Sequence, residues 1–205
     1  MKKAKNSKNM RKVSDSMGTI NVPSNALYAA QTQRAIENFP ISGIQFNKNF
    51  ISAIIIIKRS AAIVNNKLGL LNKTKMQSIL KASDYILKNN IEDQFPIDIF
   101  QTGSGTSTNM NVNEVLSTLA NSYIKGRGNK LHPNDDVNMG QSSNDVIPSA
   151  IHISSLLMVE KKLISSLKKL NKCLLNKTNE FKNILKIGRT HLQDATPMTL
   201  GQEFS

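Results

Sequence analysis

Tryptophan is absent from these 205 residues, cysteine occurs once, and aromatic side chains make up only 5%. The single Cys173 excludes an internal disulfide framework and fits a reducing compartment or indifference to redox state. No His-x-x-x-His, Cys pair or run of carboxylates occurs, so the common metal spacings are missing and neither a metal nor a cofactor is expected. Long apolar runs are missing too. The best one, residues 50–57, is stopped by Lys58 and Arg59, well short of the roughly 20 residues that cross a bilayer, so no membrane partner is expected. No secretory apolar segment follows the basic start, and its Lys/Asn composition lacks the Arg, Ser and amphipathicity of a transit peptide, so a cytoplasmic location is expected.

What is abundant is positive charge, +13 in formal terms. A basic domain gathers on phosphate backbones by counterion release. Here the lysines are scattered along helical patterns among asparagines and isoleucines, with no Arg-rich, zinc or RNP-like motif, so nucleic acid is not the expected partner. A general Lys, Asn and Ile bias explains the charge. With 39% hydrophobic and 20% charged residues, the chain has the composition of a globular protein able to bury a core.

The organisation reads as mainly α. Residues 1–12 are basic, polar and without apolar periodicity, as in a disordered tail; residues 13–145 form a first domain and residues 146–205 the beginning of a second. Residues 19–22 are extended, and helices are predicted over 26–39, 50–68, 74–89 and 109–124. Residues 95–100 are the best extended segment of the chain. From residue 146 a stripe of Ile151, Leu156, Leu163, Ile164, Leu167, Leu170 and Leu174 marks one long helix, with lysines largely off the stripe. Such a helix belongs in a bundle, packed on others that include those of other subunits.

Three polar clusters carry the chemistry. In residues 101–115, Gly103 and Gly105 sit among Ser104, Thr106, Ser107 and Thr108 ahead of Val112, Val115 and Leu116, the pattern of a loop entering a helix N-terminus. Free N–H groups and the dipole there favour an anion. The loop lacks the Gly-Lys-Ser/Thr ending of a P-loop, and Thr108 stands where a dinucleotide loop needs its third glycine, so a small carboxylate fits better than a nucleotide. Residues 141–145, Gln-Ser-Ser-Asn-Asp, form a second cluster, with Asn144 or Asp145 as N-cap and Pro148 in the first turn. In residues 186–195, His191 lies between Arg189-Thr190 and Gln193-Asp194, a titratable group among hydrogen-bonding neighbours. Thr196-Pro197 then reads as the cap and first turn of another helix, cut off about two turns in, which is hard to reconcile with a natural terminus. His152 sits inside a helix as a structural residue.

Residues 102–111, 132–135 with 141–145, and 188–197, together with Asp15-Ser-Met-Gly18 and Gln31-Thr-Gln-Arg34, closely resemble class II fumarase, the iron-independent fumarate hydratase. The resemblance implies the mainly helical fumarase/aspartase fold, as its N-terminal domain plus the start of the central bundle of long helices. It implies reversible hydration of fumarate to L-malate, with a homotetramer if the chain is complete. By carry-over, Ser104, Gly105 through its N–H, Thr106, Ser142, Ser143, Asn144 and Thr190 bind substrate, and His191 transfers a proton. His132, Pro133, Asn134 and Asp135 resemble the family's second, non-catalytic dicarboxylate site. Asn129 replaces an arginine found there in some fumarases, beside Lys130, and Ala29 replaces a usual glycine.

Aspartate ammonia-lyase, of the same superfamily, is the competing reading. Aspartases typically carry Gln where His191 stands, and Thr102-Gly-Ser104 is closer to fumarases. Family members are more than twice as long, and their active sites draw on three subunits. The Gly-Ser-Ser-x-Met-Pro-x-Lys-x-Asn loop that brings the base serine and a substrate-binding lysine is not in this sequence. The expectation is therefore an incomplete chain that is inactive alone, with a non-catalytic relic or interaction fragment as the alternative.

Overall fold

The structure is a computed structural model that describes residues 9–124 and 130–205. Asn129 and most of the basic tail lie outside the described residues. The chain divides into two compact units, residues 1–154 and 155–205, so the division falls within the long helix and not at residue 145.

The first unit opens with an antiparallel hairpin, β1 (Met10–Asp15) and β2 (Gly18–Pro23), so Met10, Arg11 and Lys12, expected in the tail, are strand residues. Arg11 holds them there by donating to the carbonyls of Ala26 and Tyr28 at 2.9 and 2.8 Å. Helix α1 covers Ala30–Asn38, four residues shorter at its start than the sequence suggested. Neither a Ser nor an Asn caps it. The carboxylate of Glu114 does so, accepting from the N–H groups of Ala29, Gln31 and Thr32 at 2.9 to 3.1 Å. A cap 82 to 85 residues away in sequence leaves no local signal of where the helix begins.

Helices α2 (Lys48–Lys67) and α3 (Lys73–Lys88) follow the apolar pattern closely, because Asn47 and Asn72 cap them in the ordinary way, accepting from Phe50 N and Lys75 N. Residues 95–100 make a single bridge, Gln45 to Asp98, in place of a strand. Helix α4 (Thr106–Ser122) is the centre of the unit: every residue from Thr108 to Ser117 is buried. Val112, Val115, Leu116 and Ala120 meet Phe50, Ile54 and Ile55 of α2 and Ile79 and Ala82 of α3 in one core. A helix enclosed on all sides tolerates its asparagines only where they are hydrogen-bonded, and those asparagines become part of the site.

Helix α5 (Ser143–Met158), a π-turn at Val159–Leu163 and α6 (Ile164–Glu180) run without interruption, as the stripe predicts. In the second unit Leu156, Leu163, Ile164, Leu167 and Leu170 remain between 41 and 58% exposed. After α6 comes a hairpin that the sequence reading missed, β3 (Leu185–Thr190) with β4 (Gln193–Thr199). Thr196 and Pro197 therefore lie in a strand. The next helix, α7 (Leu200–Glu203), is opened by Thr199 in a capping box with Gln202. Phe181 and Phe204 pack on each other, with ring centres 5.8 Å apart, closing α7 against the end of α6.

Candidate active site

The glycine loop enters α4 through Gly105, which has φ +70 and caps the helix with backbone alone. A Cβ at Gly105 would lie 3.0 Å from Ile147, so the loop presses directly on the first turns of α5. The capping work is done by Gln101. Its Oε1 accepts from Thr108 N at 2.8 Å and its Nε2 donates to Thr108 Oγ1 at 2.7 Å. The Ser104 and Thr106 hydroxyls are thereby released from capping, being exposed and sharing one hydrogen bond of 3.0 Å, while Thr102 Oγ1 accepts from Ser107 N at 3.4 Å. The Gly105 N–H, expected to face a ligand, donates to Thr102 O at 2.9 Å, so that contribution is corrected. Among the described residues the Thr106 N–H has no partner, and neither do those of Gly103 and Ser104.

Asp98 anchors the strand-like approach to this loop. Burial raises its pKa, but donors from Phe100 N, Ser42 N, Gly43 N and the Ser42 hydroxyl outweigh that and hold it at about 2.

The second cluster meets the first. Helix α5 begins at Ser143, so neither Asn144 nor Asp145 is the N-cap; both stand in the first turn. Ser142 takes the flanking position, its Oγ accepting from Asn144 N at 3.2 Å. Ser143 Oγ accepts from Asn109 Nδ2 of α4, also at 3.2 Å. Each serine then keeps a hydroxyl proton to donate. Beneath them lies Lys58, wholly buried and without a carboxylate partner among the described residues, its Nζ 2.7 Å from Asn138 Oδ1. Burial pushes Lys58 down to about 7. The sequence reading took Lys58 only as the end of an apolar run. The available signal was its place on the buried face of α2, in step with Ile51, Ile54, Ile55 and Ala62.

His132, Pro133 and Asn134 line a cleft of about 670 Å³ with Ser14, Asp15, Gln31, Glu114 and Lys130. Asp135 does not line it. Its N–H donates to His132 Nδ1 at 3.2 Å, and its carboxylate lies 3.1 Å from the same nitrogen. The π-turn at Pro133–Val137 is fixed by Asp136, which accepts from His132 N and pairs with Lys75 at 2.7 Å. Asp15 and Arg34, from two separate matching segments, meet in a two-bond pair of 2.9 and 3.1 Å; the guanidinium holds the Asp15 carboxyl below its usual range.

The third cluster belongs to the second unit and forms the tip of its hairpin. His191 and Leu192 carry φ of 49 and 62, a two-residue turn in the left-handed region with no glycine. Thr190 and His191 are exposed, and Arg189 braces the tip through Asp194 at 3.1 Å and Leu192 O at 3.3 Å. Among the described residues no three His, Cys, Asp or Glu side chains gather as a metal site, and no helix is long and apolar enough to cross a membrane.

A buried core helix entered through a hydroxyl-rich glycine loop, abutting a serine-rich second helix start, defines the class: residues 18–205 match the lyase family, and the chain belongs to it. More particularly, it is 50% identical over 198 residues to the class II fumarate hydratase of Nitrosomonas europaea, covering 95% of this chain and 43% of that protein. It is 54% identical over 194 residues to that of Helicobacter pylori, covering 93% and 42%. The structure superposes on the class II fumarase of Schistosoma mansoni with a TM-score of 0.87 and 43% identity, covering 96% of this chain and 42% of that one. The chain thus spans less than half the length of these relatives.

Proposed function

We propose that this chain carries the N-terminal part of a class II fumarate hydratase, which interconverts fumarate and L-malate by anti addition and removal of water. The observation that carries the reading is the convergence of the glycine loop with the start of α5, a neutral set of donors in a family whose similar members are named fumarate hydratases.

In the malate-to-fumarate direction a base removes the C3 proton and the electron pair moves onto the adjacent carboxylate. Donors already aimed at that carboxylate stabilise the charge without reorganising, usually the largest catalytic contribution. Ser104, Thr106 with its N–H, Ser142, Ser143 and Asn144 supply them, with Gly105 giving the loop its shape. His191 delivers a proton to the departing C2 hydroxyl, which leaves as water, and Thr190 adds a further donor to the substrate. His132, Pro133 and Asn134 line a second dicarboxylate site at the cleft beside the hairpin, with Asp135 fixing His132 through its Nδ1. The exposed stripe of the long helix is the surface for assembly into a homotetramer.

The test supplies the remainder of the Nitrosomonas europaea relative as a separate polypeptide and follows the ultraviolet absorbance of the fumarate double bond. Restored hydration that persists after exhaustive chelation is expected. A dependence on added metal, or release of ammonia from aspartate at a comparable rate, overturns the reading.

A further inference from the structure

The amides under the second cluster turn their nitrogens toward one shared acceptor. Asn138 Oδ1 receives three donors: Lys58 Nζ at 2.7 Å, Asn109 Nδ2 at 3.1 Å and Asn113 Nδ2 at 3.2 Å. Meanwhile the buried Oδ1 atoms of Asn109 and Asn113 have no donor among the described residues. Turning the three amides over together would hand both oxygens a donor in Asn138 Nδ2 but leave the Nδ2 groups of Asn109 and Asn113 where those unpaired oxygens were, so these amides by themselves do not choose between the two arrangements. One loss in that alternative is the bond from Asn138 Nδ2 to Gln141 O, 3.0 Å long. The other is prohibitive below about pH 7, where Lys58 is protonated, because it sets an amide NH₂ against a buried ammonium.

The direction of the chain matters at its far end. Asn109 Nδ2 has two hydrogens, one on Asn138 and the other on Ser143 Oγ. With Asn109 held this way, Ser143 accepts from below and its hydroxyl proton must point elsewhere. With the amides turned, Asn109 would present Oδ1, and Ser143 would spend its proton inward.

We infer that Lys58 is a positioning residue: its ammonium locks the Asn138 and Asn109 amides in the one orientation that leaves the Ser143 hydroxyl proton free for a ligand carboxylate. This rests on the carboxylate-cradle reading of the site. Lys58 itself touches no ligand. It acts through two amides, and a buried cation without a counter-carboxylate is retained at a cost to the fold that positioning explains.

The experiment measures the KM for fumarate, below about pH 7 where Lys58 is protonated, of the chain completed by the remainder of the Nitrosomonas europaea relative, for the parent, Lys58→Met, Ser143→Ala and the double variant, and follows the asparagine side-chain amides of the 205-residue chain by ¹⁵N NMR. Lys58→Met is expected to keep the fold, to shift the Asn109 and Asn138 amide signals, and to raise the KM for fumarate about tenfold. In the Ser143→Ala background the same substitution is expected to cost nothing further. Lys58→Gln, a neutral side chain whose amide can turn with the others, is the second variant should Lys58→Met fail to fold, and the same pattern is expected of it. Equal losses in both backgrounds, or amide signals that ignore Lys58, overturn the inference. A completed parent that shows no saturable use of fumarate overturns the carboxylate reading itself, a different result from saturation with additive losses.

Discussion

Asp98 and Lys58 are buried groups whose environments act on them in opposite senses, and each gives the fold its own pH signature. Asp98 is held at about 2 against an ordinary 3.8, so between those values the unfolded chain binds more protons than the folded one. Its contribution is complete above about pH 4 and is lost as pH falls toward 2. Urea midpoints measured down that range should fall less steeply in Asp98→Asn than in the parent. Lys58, lowered from 10.5 to about 7, again leaves the unfolded state with more protons between those values, so stability rises with pH from 7 toward 10.5. Lys58→Met should remove that rise and be no less stable at pH 7, since an apolar side chain of similar length replaces a buried charge. His191 belongs to chemistry, not to the fold. In the two-part enzyme His191→Asn should lower kcat about 100-fold or more with little change in KM, as expected for a group that moves a proton and binds little, and steady-state kinetics decides it.

At the level of elements, helix starts separate into those with local caps and those without. Helices α2 and α3 begin where Asn47 and Asn72 say they should. Helix α1 begins where Glu114 reaches it, and α4 where Gln101 and the left-handed Gly105 allow it. Removing the shared carboxylate with Glu114→Ala leaves three N–H groups with no acceptor in a mostly buried place, a loss on the order of 3 kcal/mol. Denaturant unfolding should show it. Amide exchange should accelerate first at Gln31 and Thr32, and a substitution that left their protection unchanged would remove Glu114 from this role. Because Glu114 also lines the cleft beside His132, the same variant should loosen that cleft while sparing the glycine loop.

For the whole molecule, the uncovered stripe on the long helix dominates. Leu163, Leu167 and Leu170 recur three and four residues apart, and all are about half exposed. A contiguous apolar face of this kind drives association. Light scattering on the 205-residue chain should therefore show mass rising with concentration, and Leu167→Glu with Leu170→Glu should hold it monomeric. An unchanged mass in the double variant would place the association elsewhere.

The sequence alone carried the mainly helical class, the positions of α2, α3 and the long helix, and the three polar clusters, because all of these rest on local periodicity, local caps and residue types adjacent along the chain. It carried the lyase resemblance for the same reason, since Thr102 to Asn111 and Gly188 to Pro197 are contiguous motifs. It misplaced the start of α1 and read a helix where β4 lies. Glu114 caps from 80 or more residues away, and the β3–β4 hairpin turns through His191 and Leu192, two residues that do not favour left-handed angles. The inward use of the Gly105 N–H and the pairing of buried Lys58 with the Asn138 amide were decided only by tertiary structure. Which donors stay free, and which charge lies beneath them, depends on what burial brings within 3 Å, a distance that periodicity along the chain does not encode.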